Sequence, residues 1–110
     1  MKKILFAMMS AALLWQGSTC VVRAADAGDV DKLTTYAVIL GRGAGCGFSV
    51  SKEMRQVGRW IDRTFVGREK NTYLKIFMAG VEQNAEQQAA GKSPDSCASV
   101  RKTIDNTVWP

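Results

Sequence analysis

Beyond residue 24 the chain keeps two cysteines, Cys46 and Cys97, and 86 residues in which to bury a core. That combination constrains the fold more than any other feature, and it depends on how the first 24 residues are read. Met1-Lys2-Lys3 is a short positive start. Ile4 to Trp15 is an apolar run of the length of a signal-peptide core, and Val22-Arg23-Ala24 offers a small-residue step for a signal peptidase. The run is shorter than the roughly 20 residues a spanning helix needs. Residues 1–24 are therefore expected to be a signal peptide, and 25–110 a single exported helical domain, periplasmic or secreted. Ala25-Asp26-Ala27 is a second possible cleavage step, and Arg23 is unusual beside the first. Cys20 leaves a further alternative open: lipidation, and with it membrane contact, although Gly17-Ser18-Thr19 lacks the leucine of a lipoprotein signal.

Removal of residues 1–24 changes the arithmetic. Lys2, Lys3 and Arg23 go, leaving twelve basic residues against all ten acidic ones, so the net charge falls from +5 to +2. Much of the basicity belongs to the leader, which argues against a nucleic-acid partner. Two remaining cysteines in an oxidising compartment are expected to form a bridge, with two unpaired buried thiols as the alternative. A domain of this size has a limited core, so such a staple is useful. By loop-closure entropy it is worth about 4 kcal/mol.

Apolar spacing predicts an all-α fold, a small four-helix bundle closed by Cys46–Cys97. The first helix covers about 29–44, with Val30, Leu33, Ala37, Leu40 and Ala44 on one stripe. Asp26, Asp29 and Asp31 favour the positive end of its dipole, and their spacing does not fit an EF-hand. The second covers about 51–65, capped by Ser51, with Met54, Val57, Ile61 and Phe65 inward and Trp60 beside them. The third covers about 72–90, burying Leu74, Met78, Val81, Ala85 and Ala89 with Phe77 alongside, and stops at Gly91. Ser93-Pro94-Asp95 predicts the start of the fourth, where Cys97, Val100 and Ile104 share an inner face and Val108 follows in line.

Few residue patterns carry chemistry. The run Gly41-Arg42-Gly43-Ala44-Gly45-Cys46-Gly47 lacks the third glycine of a dinucleotide fingerprint and the Gly-Lys-Ser/Thr ending of a Walker loop. Small residues there are expected to end the helix and admit a neighbouring backbone. Ser49-Val50-Ser51-Lys52 matches Ser-x-x-Lys without the companion motifs of penicillin-interacting enzymes. Histidine is absent, which removes the usual general base and the commonest metal ligand. Glu82 and Glu86 could be imagined as a glycosidase pair, but Gln83, Asn84, Gln87 and Gln88 around them point to a solvated face. The chain is expected not to be an enzyme, with no catalytic residue, no metal site and no cofactor.

One pattern stands out. Lys52, Arg55, Arg59 and Arg63 recur at steps of three, four and four, opposite Met54, Val57 and Ile61. From Arg42 to Lys75 there are eight basic residues against three acidic ones. Arginine's planar fork suits carboxylate or phosphate partners. The alternative is a solvated face partly neutralised by Glu53, Asp62 and Glu69.

The leading expectation is a binding, inhibitory or accessory protein whose basic helix meets an acidic protein partner in the envelope. Two others stand beside it: a periplasmic stress chaperone that uncovers apolar surface as carboxylates such as Glu82 and Glu86 protonate, and a binder of anionic lipid or cell-wall polymer. In size, export and cysteine count the chain resembles two groups of small helical periplasmic proteins, acid-stress chaperones and immunity proteins that block cell-wall amidases. No motif is shared, so no residue is carried over.

Overall fold

The computed structural model describes residues 26–110. The expected signal peptide, the cleavage step expected after Ala24 and Cys20 lie outside the described residues. The described residues form four helices: α1 Ala27–Gly45, α2 Ser51–Thr64, α3 Arg68–Ala89 and α4 Cys97–Asn106. They make an all-α bundle closed by the Cys46–Cys97 disulfide, whose Cα atoms lie 5.7 Å apart.

Asp26 starts α1 by accepting a hydrogen bond from the Gly28 amide at 2.9 Å, and Asp29 adds a carboxylate to the first turn. The helix buries Leu33, Tyr36, Ala37, Leu40, Gly41 and Gly43. Ala44, predicted on the inner stripe, is exposed instead. Gly47 takes a positive φ of 85°, the chain turns there, and the Phe48 amide donates back to the Gly43 carbonyl.

The glycines decide how α1 meets α3. A Cβ on Gly41 would stand 2.5 Å from the Val81 carbonyl oxygen, and one on Gly45 2.5 Å from that of Ala85. The two backbones therefore touch, and because both positions advance together the helices run parallel. This contact turns α3 away from the predicted orientation. Phe77 and Val81 are buried, whereas Leu74 and Met78 are exposed, and so is Ala89. The helix also begins four residues before the predicted Thr72, from Gly67, whose φ is 61°. Gly91 ends it as expected, at φ 74°.

Between them, α2 returns the chain. Val57, Trp60 and Ile61 are buried, Phe65 is buried one residue past its end, and Met54 packs against the same core. Ser51 is the first helical residue and not the cap; Val50 holds that place without a side-chain bond. The Asp62–Lys70 ion pair at 3.0 Å and the Phe65–Tyr73 stack close the α2–α3 hairpin.

In α4 the cap is Ser96, whose hydroxyl accepts from the Ser99 amide at 3.1 Å. Ser93 caps only a local turn by accepting from the Asp95 amide, so Pro94 lies ahead of the helix. Val100 and Ile104 are buried as predicted, while Cys97, though bridged, is exposed. The helix stops at Asn106, leaving Val108 88% exposed, and Trp109 takes the inner place by packing on Tyr36 with ring centroids 5.3 Å apart. Disulfide at one end and Trp109 on Tyr36 at the other set α4 antiparallel to α1.

Candidate interaction surface

The surface begins with the way α2 divides its residues. Its inner side is held by Val57, Trp60 and Ile61, and Trp60 is fixed edge-on against both Tyr36 and Phe65. A helix pinned on that side must present the opposite one to solvent. Lys52, Arg55, Arg59 and Arg63 occupy the opposite side, and all four are exposed. None of them forms an ion pair among the described residues. From Lys52 to Arg63 the stripe runs about 16 Å along the helix.

The neutralising carboxylates do not behave as the sequence alternative requires. Asp62 is committed to Lys70, and neither Glu53 nor Glu69 pairs with any member of the stripe. Not every basic residue of the Arg42–Lys75 run is free, however. Arg42 reaches across to Asp95 with 2.6 Å between Nη1 and Oδ2, beside the disulfide. Its Nε is buried without a partner. Gln88 adds to this end of the bundle by donating to the Asp95 carbonyl at 3.0 Å and reaching Cys97 Sγ at 3.6 Å. Arg42 is thus a tether between α1 and the α3–α4 connection.

The remaining sequence motifs are not assembled into a site. Ser49 and Lys52 are both exposed. Gly41 and Gly45 face α3 and Gly43 faces α4, whereas Gly47 is exposed in the turn. Glu82 and Glu86 stand exposed on α3. A pocket of about 70 Å³ lies between Ile39, Arg42, Asp95, Val100 and Thr103, room for a few waters. Among the described residues no group of three His, Cys, Asp or Glu side chains is placed to hold a metal ion. No described helix is long and apolar enough to cross a membrane.

No family model, curated protein or solved structure matches the chain. The surface must therefore be read from its own chemistry. Two features of it escaped the sequence reading. One is the run of aromatic contacts from Trp109 through Tyr36, Trp60 and Phe65 to Tyr73, which ties the C-terminal segment, α1, α2 and α3 together. The other is the apolar surface left on α3 and the hairpin turn, where Val66, Leu74, Ile76 and Met78 are exposed. The signal for the second was present in the Gly41-x-x-x-Gly45 spacing. Once those glycines admit the α3 backbone, the buried side of α3 is centred on Phe77 and Val81, and Leu74 and Met78 are left outside.

Proposed function

We propose that this is a small exported protein that acts by contact, binding an acidic protein partner through the outer face of α2 in a binding, inhibitory or accessory role. The observation that carries the reading is the set of four exposed cations, Lys52, Arg55, Arg59 and Arg63, without ion-pair partners on one face of a helix whose other face is locked in the core. Like charges held a few ångströms apart repel one another, and a carboxylate-bearing surface relieves that repulsion while steering the encounter. Arginine at three of the four places favours forked contacts with carboxylates.

The test is capture from an envelope extract, with the wild-type protein as bait beside an Arg55→Glu/Arg59→Glu/Arg63→Glu variant. One stoichiometric protein retained by the first and lost by the second is the expected result. Equal retention of a broad mixture by both would sink it. The exposed Leu74, Ile76 and Met78 favour a second reading, a chaperone of the envelope. That reading expects suppression of client aggregation at acid pH, and a Leu74→Ser/Met78→Ser variant to lose it. Flotation with anionic vesicles at low and high salt separates both from lipid binding, whose affinity would fall steeply with ionic strength.

A further inference from the structure

A glycine interrupts the side of α2 that turns toward α3. Met54, Gly58 and Asp62 follow at steps of four and line one ridge of the helix. Asp62 holds that ridge against α3 through Lys70, at 3.0 Å. On α3 the Lys70 row continues, again at steps of four, with Leu74 and Met78. The two helices run in opposite directions from the turn at 65–67, so one turn back from Asp62 is level with one turn on from Lys70. Gly58 is therefore level with Leu74, and Met54 with Met78. A Cβ built on Gly58 meets nothing within 4 Å, so no neighbour fills the space that the glycine leaves. Beside it Leu74 is 40% and Met78 48% exposed. Met54, half-buried against the core, bounds this opening at one end, and the Asp62–Lys70 pair bounds it at the other. Between them lies a short apolar notch.

Two cations flank the notch. Arg55 stands three residues before Gly58 and Arg59 directly after it, both exposed and without an ion pair among the described residues. They lie about 6 Å apart along α2, and Leu74 and Met78 lie about 6 Å apart along α3 at the same height. A partner therefore meets two tracks side by side, one cationic and one apolar, with the same repeat. A strand sends alternate side chains to opposite faces and can serve only one track at a time. A helix stacks residues four apart in one row and offers the adjoining row to the same surface. We propose that the partner docks an acidic amphipathic helix along the α2–α3 hairpin, with an apolar side chain in the notch at Gly58 and Leu74 and carboxylates on Arg55 and Arg59. This rests on the reading of α2 as a contact face and names the element that the face receives. Glu82 and Glu86 continue the Leu74–Met78 row with the same charge as the incoming helix, so the seat ends at Met78.

The test uses the full chain, purified oxidised, as target for a displayed library of alanine-based helical peptides about 18 residues long. One face of each peptide is randomised among Leu, Glu, Lys, Ser and Ala, and enriched peptides are titrated by fluorescence anisotropy. They are expected to carry leucines four residues apart with glutamates in the adjoining row. Arg55→Gln/Arg59→Gln should weaken their binding about 10-fold. Gly58→Leu should also weaken it about 10-fold, because the new side chain fills the notch and leaves every charge in place. Leucine is the better helix former, so this variant should keep its helices by circular dichroism and its midpoint in urea. Leu74→Gln should give a matching loss from the other wall of the notch, with the α2 backbone untouched. Enrichment of helices without carboxylates, or of none, overturns the proposal, and so does binding indifferent to both Gly58→Leu and Leu74→Gln. If such binding still depends on Arg55 and Arg59, α2 stands as a contact face and only the docked helix fails. If it depends on neither, the reading of the α2 face fails with it.

Discussion

At the scale of single residues, glycine has three different roles in one small protein, and they predict opposite outcomes for the same substitution. Gly41 and Gly45 lie where a Cβ would press on the carbonyls of Val81 and Ala85, backbone atoms that can move only if a helix moves. Gly41→Ala or Gly45→Ala should destabilise the fold by about 1–3 kcal/mol, read as a lower midpoint in urea. Gly58 sits inside α2 with nothing within 4 Å of its built Cβ. Gly58→Ala should raise stability by about 0.5–1 kcal/mol, because the unfolded chain loses freedom and the folded one loses nothing. Gly91 has a positive φ of 74° with open space around it, so there the penalty is conformational and not steric. If Gly41→Ala and Gly45→Ala respond as Gly58→Ala does, the close α1–α3 approach is wrong.

Among the elements, α4 is the most dependent on its attachments. It is ten residues long, buries Val100 and Ile104, and is held by the disulfide at one end and by Trp109 against Tyr36 just past the other. Cys97→Ser should cost about 4 kcal/mol, since a loop spanning 51 positions is freed in the unfolded chain. The emission of Trp109 should then shift to the red as α4 leaves α1. Ser96→Ala removes the cap and should cost about 1 kcal/mol, whereas Ser93→Ala, at a place that resembled the cap in the sequence, should cost less. Thermal melts of the two variants side by side settle the assignment. The misplaced cap shows where sequence legibility ends. Ser93-Pro94-Asp95 and Ser96 are both sound starting signals, and the choice between them belongs to the bridge and to Gln88, which fixes the Asp95 carbonyl. Helix number, the Gly91 stop, the inner face of α2 and the outer position of its four cations were all readable, because each follows from local spacing. The rotation of α3 was not. It depends on a contact with α1 some forty residues away, and local periodicity gave Leu74 and Met78 the same weight as Phe77.

For the whole molecule, α1 is the hub: α2, α3 and α4 all pack on it. The basic face of α2 lies outside this arrangement. Replacing Lys52, Arg55, Arg59 and Arg63 together by Gln should leave the unfolding midpoint within about 0.5 kcal/mol of wild type, as is usual for exposed positions, while removing the proposed contact. A large loss of stability would show that the stripe supports the fold. The parallel pairing of α1 with α3 has a further consequence, one of timing. Parallel neighbours cannot be joined by a short turn, so the Gly41–Val81 contact has to wait until α2 has folded back and about forty residues of chain have been closed. Cys46 and Cys97 are further apart still in sequence, and they are brought together only when α4 also lies along α1. Docking of the helices therefore presents each thiol to the other. An oxidant supplied before the helices have docked must close a loop spanning 51 positions in a mobile chain, whereas one supplied afterwards finds the two sulfurs already side by side.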